Sequence, residues 1–158
     1  MQNRVYSLEE AKLKIERYCA YQDRCHYEVE TKLKSFGLLP VTIDQIMLEL
    51  IQNKFLDEER FARSFASGKH KIKLWGKKKI ELKMKEKRVS SSCIRLGLSE
   101  IDDEEYIENL HRLVDLKWES ESKLKKKFDR RGKVATYLMN KGYESDLVWE
   151  ALEKYPLD

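Results

Sequence analysis

One nine-residue pattern occurs three times in this chain, and it constrains the fold more than any other feature. Val29 to Gly37, Ile80 to Arg88 and Val134 to Gly142 carry matching apolar pairs at their first and fifth positions: Val29 and Leu33, Ile80 and Met84, Val134 and Leu138. The copies are offset by 51 and 54 residues. Each follows an acidic or Ser-capped helix start, near Ser7, Asp57 and Asp103, and precedes a further start near Thr42, Ser90 and Ser145. The spacing predicts three tandem three-helix repeats, at residues 1–55, 56–101 and 102–158. A repeat this small buries its own apolar face poorly, so neighbours are expected to stack into an elongated, curved array. The alternative is an ordinary helical bundle in which the spacing is coincidental.

The local signals are those of an all-α protein. Two prolines and six glycines interrupt 158 residues, and apolar residues recur three and four positions apart. Ser7 with Glu10, and Thr42 with Gln45, read as capping boxes. The second leads into an apolar stripe of Ile43, Ile46, Met47 and Leu50. Asp57 and Asp103 each precede two glutamates, which complement a helix dipole. They introduce Phe61 and Phe65 in one case and Ile107, Leu110 and Val114 in the other. Phe61, Phe65 and Ile80 read as core. Gly142 reads as a helix C-cap, after which Ser145 begins a last helix carrying Val148, Ala151 and Leu152.

Hydrophobic residues make up 41% of the chain and charged residues 38%, the latter well above the roughly 25% typical of globular domains. No apolar run approaches the roughly 20 residues of a membrane span, and the first ten residues lack a signal peptide's apolar stretch. A soluble, cytoplasmic protein without membrane contact is expected. Cys19, Cys25 and Cys93 are odd in number and unevenly spaced, which predicts reduced thiols. The net charge of +4 hides segregated blocks. Lys69 to Arg88 holds ten bases and two acids, Glu100 to Glu121 nine acids and two bases, and Lys123 to Lys133 seven bases and one acid.

No Gly-rich phosphate loop, nucleophile elbow or metal-ligand pair is present, so neither an enzyme nor a cofactor is expected. Cys19, Cys25 and His26 fall short of the four ligands of a closed zinc site. His70 and His111 read as isolated and solvent-facing. The positive feature is the lysine-rich stretch, in which Gly76 separates two helices. Lys77, Lys78 and Lys79 then crowd a helix start, where the dipole disfavours cations. Clustered lysines bind phosphates strongly, without sequence preference and with marked salt dependence. Trp75 stacks on an unpaired base or belongs to the core; both readings stand. The second basic zone adds Phe128, Arg130 and Arg131. Helix pairs with short turns also fit a stand-alone helix-turn-helix DNA-binding regulator, although base readout favours Asn, Gln or Arg over lysine.

The run from Phe55 through Arg60, Phe61, Ala62, Arg63 and Phe65, followed by Trp75, Gly76 and Ile80, resembles the signature of the RecX regulatory proteins, which modulate the bacterial recombinase RecA. Glu28 to Leu33 leading to Gly37 is a second match. Arg130 to Gly132, continuing through Leu138 and Gly142 to Ala151 and Leu152, is a third. The chain departs from the family pattern at Gln22 to Cys25, at Arg88 where the other copies have glycine, and at Gly97 where alanine is usual. The last departure predicts a short or frayed helix. The resemblance implies a non-enzymatic negative regulator. It would bind the RecA filament on single-stranded DNA, with duplex DNA as a further ligand, and suppress recombinase, ATPase and coprotease activities. Candidate contacts to DNA or recombinase are Arg60, Arg63, Lys69, Lys71, Lys73, Trp75, Lys77, Lys78, Lys79, Lys83, Lys87, Arg130 and Arg131, with the acidic block available to basic patches on the partner.

Overall fold

The computed structural model describes residues 5–157, and among these every regular element is helical. The helices are α1 (Leu8–Tyr21), α2 (His26–Lys34), α3 (Pro40–Gln52), α4 (Glu58–Lys73), α5 (Lys77–Glu86), α6 (Ser91–Leu98), α7 (Asp103–Ser120), α8 (Lys127–Asn140) and α9 (Ser145–Ala151), with a 3-10 turn at Leu152–Lys154. The chain forms two compact units, one of residues 1–64 and 84–97, the other of residues 65–83 and 98–158.

In the first unit α2 packs on α1 and α3. Ala11, Ile15 and Cys19 of α1, Val29 and Leu33 of α2, and Ile43, Ile46 and Leu50 of α3 form its core, with Met47 packed against it. Each fully buried aliphatic side chain contributes about 1.5–3 kcal/mol. Ser7 caps α1 as expected, accepting from the Glu10 amide at 3.2 Å. The Thr42 capping box does not form. Leu39 is the N-cap and α3 begins three residues earlier than that box implies, at Pro40, because a proline at the first helical position supplies the right φ and lacks only an N–H that would be unpaired there anyway. Cys25 occupies the N-cap of α2. Its amide donates to Glu28 at 3.2 Å and its thiol to the Lys87 carbonyl at 3.7 Å. Burial pushes the Cys19 thiol up to about 11 and the Cys25 thiol up to about 12, so both are protonated, unreactive core groups at neutral pH. α6 is short, as expected, but Gly97 does not mark a frayed end. It is buried at a helix crossing, where a Cβ would lie 2.6 Å from the Ala62 carbonyl oxygen.

In the second unit α7 packs on α8 and α9. Tyr106, Leu110, Leu113, Val114 and Trp118 of α7 are buried, as are Val134, Ala135 and Leu138 of α8 and Val148 and Ala151 of α9. The N-cap of α7 is Asp102, not Asp103, and accepts from the Glu105 amide at 2.9 Å. Leu110 and Val114 are buried as expected, but Tyr106 takes the inward position at the start of the stripe and Ile107 is left partly exposed, contrary to the sequence expectation.

The repeated pattern corresponds to α2, α5 and α8. Leu33, Met84 and Leu138 are fully buried, and the chain turns left-handed at Gly37 (φ 76°), Arg88 (φ 57°) and Gly142 (φ 106°). At Arg88 and Gly142 the same paired bonds close the helix: Val89 to Met84 and Arg88 to Lys85, Tyr143 to Leu138 and Gly142 to Met139. Arg88 therefore adopts a conformation normally left to glycine.

Candidate nucleic-acid interface

The lysine-rich stretch contributes the last turns of α4, a tight connection at residues 74–76, and the first turns of α5, all within the second unit. Leu74 ends α4 by turning left-handed (φ 55°). The polar groups of the connection are then met one by one. The Leu74 carbonyl accepts from the Tyr143 hydroxyl at 2.9 Å, and the Trp75 carbonyl lies 3.0 Å from Nδ1 of His70. Nε2 of His70 is 3.1 Å from the Asn109 amide nitrogen, so the fit is to an imidazole carrying its proton on Nδ1. His70 is only 2% exposed. The expectation of a solvent-facing histidine is thus corrected: its ring braces the connection from beneath, tilted against Tyr106 at 5.3 Å.

The start of α5 rests on the end of α8. The amide of Gly76 donates to the Lys141 carbonyl at 2.9 Å and that of Lys78 to the Gly142 carbonyl at 3.0 Å. Only glycines allow this approach, since a Cβ on Gly76 would sit 2.2 Å from the Gly142 carbonyl carbon. The Lys77 amide donates to the Tyr106 hydroxyl at 3.0 Å, which in turn donates to the Glu144 carboxylate at 2.8 Å. Burial, reinforced by Glu144, holds the Tyr106 hydroxyl above the usual tyrosine range and keeps it a donor. Carbonyls at the negative end of α8 thereby face the positive end of α5, which offsets part of the cost of three lysines at a helix start.

Trp75 is half-buried, which lies between the two sequence readings. Ammonium groups surround its ring: Lys79 at 4.4 Å from the centroid, Lys69 at 5.1 Å and Lys73 at 5.6 Å. Lys71 and Lys78 are exposed. Among the described residues no carboxylate pairs with Lys71, Lys73, Lys78 or Lys79. Lys77 differs, with its ammonium 3.1 Å from Asp103 and 4.7 Å from the Tyr106 ring centroid. Lys83 is half-buried farther along α5.

The remaining candidates lie elsewhere. In the second unit, the Arg130 guanidinium donates through Nε and a terminal nitrogen to the Trp118 carbonyl, closing the end of α7, and lies 4.0 Å from the Trp118 ring centroid. Arg131 is 5.8 Å from the Trp149 ring, while Phe128 is 74% exposed. In the first unit, Arg60 bonds Asp23 at 2.8 Å and the Lys54 and Phe55 carbonyls at 3.2 Å each. Arg63 is paired with Glu59 at 2.9 Å, and Lys87 with Glu28 at 3.5 Å. The acidic block is also partly engaged: Asp115 holds Lys154 and the Tyr155 hydroxyl, and Glu121 holds Lys117 and Lys133. Among the described residues no three His, Cys, Asp or Glu side chains converge as metal ligands, and no helix is long and apolar enough to cross a membrane.

Sequence reasoning missed His70, Tyr106, Asn109 and Tyr143, which position the Trp75 connection. Apart from the local bond of His70 to Trp75, their partners lie 29 to 69 residues away, and no local pattern marks them.

Residues 57–98 match the family model for the second three-helix domain of RecX, and residues 103–152 match that for the third. The chain belongs to the RecX family. A regulatory protein RecX from Lactobacillus johnsonii is 37% identical over 97 residues, covering 61% of this chain and 36% of the relative. One from Prosthecochloris aestuarii is 27% identical over 139 residues, 87% of each chain. Most of the curated RecX relatives are longer, and the chain spans about half their length, for instance 52% of the Lactobacillus gasseri protein. The fold agrees with the crystal structure of RecX from Lactobacillus salivarius at a TM-score of 0.83, with 21% identity over 93% of this chain and 95% of that one. A second RecX crystal structure gives the same TM-score at 22% identity, covering 93% of this chain and 71% of the other.

Proposed function

We propose that this RecX-family chain is a non-catalytic negative regulator of the RecA recombinase. It acts in the cytoplasm by binding the RecA filament on single-stranded DNA and suppressing its recombinase, ATPase and coprotease activities. On this reading residues 1–55, 56–101 and 102–158 are three tandem repeats of one helical module. The observation that carries the reading is the Trp75 surface: a half-buried ring surrounded by ammonium groups, next to the exposed Lys78, on a connection whose backbone is fully braced. Such a surface suits a charged nucleoprotein. Lysines neutralise phosphates or acidic protein groups, and the indole edge meets an unpaired base. Nothing in the arrangement supplies a nucleophile or a poised acid and base.

Purified protein titrated into RecA on single-stranded DNA tests this, with ATP hydrolysis as the readout. Suppression at substoichiometric amounts is expected. Unchanged hydrolysis, together with tight and sequence-selective duplex binding in the absence of recombinase, would replace this reading with a stand-alone DNA-binding regulator.

A further inference from the structure

The first unit also carries a cationic surface, in which Lys87 is the one residue shared with the candidate contacts named above. α1 places Lys14, Arg17, Tyr18 and Tyr21 on one helical face, at spacings of three and four, beside its buried stripe. Together with Tyr6, Arg24, Lys32 and Phe36 they line an open cleft of about 430 Å³. A neighbouring cleft of about 380 Å³ shares Tyr18 and Lys32 and runs on to Tyr27 and Lys87. Rings and cations alternate along this track. The Arg24 guanidinium lies 3.7 Å from the Tyr18 centroid, Lys14 5.1 Å from Tyr6, Lys32 5.6 Å from Tyr18, and Arg88 4.6 Å from Tyr27. Four aromatic rings and four cations line the first cleft, with no carboxylate. Glu28, in the second, is neutralised by Arg24 at 4.0 Å and Lys87 at 3.5 Å. Among the described residues Lys14, Arg17 and Lys32 have no carboxylate partner.

We infer that this track binds an unpaired DNA strand, its tyrosines stacking on bases and its lysines and arginines following the phosphates. The assignment rests on the regulatory reading above only in choosing DNA as the strand. A duplex keeps its bases stacked inside and would give the rings nothing to meet. An acidic polypeptide would engage the cations but leave Tyr21, 83% exposed, without a role. Stacking of rings and neutralisation by cations together are the requirements of single-strand binding.

Fluorescence anisotropy of the full chain with labelled oligo(dT), without recombinase, tests the inference. Tyr21, Lys14 and Arg17 are all exposed, so their variants should fold. Tyr21→Ala is expected to weaken oligo(dT) binding by about fivefold or more. Lys14→Glu with Arg17→Glu is expected to weaken it by at least about tenfold and to reduce the slope of log affinity against log salt by about 1.4, at ~0.7 per phosphate contact. Photo-crosslinking with 5-iododeoxyuridine should mark Tyr18, Tyr21 or Tyr27. Wild-type affinity in both variants, crosslinks confined to Trp75, or competition by polyglutamate with the same dependence on Tyr21 would each overturn the assignment. The two readings also fail separately. Loss of oligo(dT) binding in these variants, alongside wild-type protein that leaves recombinase ATPase untouched, would uphold the track and refute the regulatory role.

Discussion

The arginines and lysines singled out by charge alone end up in opposite roles. Arg60, Arg63 and Arg130 are engaged within the fold, by a carboxylate, by backbone carbonyls or by both. Lys73 and Lys79 remain without a carboxylate partner beside Trp75, and Lys71 and Lys78 are exposed. The difference follows from side-chain shape. A planar guanidinium with five donors satisfies two or three fixed acceptors at once, whereas an ammonium on a flexible stem keeps its hydration and suits phosphates at varied positions. On the proposed reading, the cations engaged within the fold hold it, and the exposed lysines are left for a partner.

The sharpest way to break this contrast is to disturb the backbone that displays the lysines. Gly76→Ala forces a Cβ to within 2.2 Å of the Gly142 backbone and is expected to destabilise the second unit by about 3 kcal/mol, at the upper end for overpacking. Thermal unfolding followed by circular dichroism measures it; an unchanged midpoint would mean that the contact gives way freely. Next, Arg130→Ala leaves the Trp118 carbonyl short of its donors and should cost about 1–2 kcal/mol by urea unfolding. A stability as in the parent protein would return Arg130 to the list of candidate contacts. By contrast, Lys78→Glu with Lys79→Glu should change stability by no more than about 0.5 kcal/mol net: neither has an acidic partner to lose, and relief of the cations crowding the positive helix end offsets the lost contact of Lys79 with the Trp75 ring. The smallest effect concerns Asp115. Burial would raise its carboxyl, but hydrogen bonds from Lys154 and Tyr155 hold it below its ordinary 3.8. Its contribution to stability is therefore present above that value and lost as pH falls through the lowered one. Asp115→Asn should slightly flatten the acid side of the stability profile; an unaltered profile would show that the pair is fully screened by solvent.

Much of the local structure was legible because it depends on neighbours in sequence. Ser7 and Asp57 accept from the amides three residues on, and the glycine-or-arginine position of the repeat turns left-handed in all three copies. Proline displaced the capping box expected at Thr42, by starting α3 at Pro40. Charge density was legible too, but not its use. Arg60 reads as a contact until Asp23, 37 residues earlier, is placed beside it, and His70 reads as exposed until Asn109 and Trp75 enclose it. The aromatic face of α1 went unnoticed for a different reason. Lys14, Arg17, Tyr18 and Tyr21 form no run of like charge, and become a surface only when set on a helix and joined by Tyr6, Lys32 and Phe36.

The most direct test of the central claim is a titration of the Lys78→Glu, Lys79→Glu protein against RecA filaments on single-stranded DNA, with ATP hydrolysis and thermal melting measured in parallel. The account predicts that suppression of hydrolysis weakens by at least about tenfold while the melting midpoint stays within a degree or two of the parent protein. Suppression equal to that of the parent protein, with the fold intact, would contradict it.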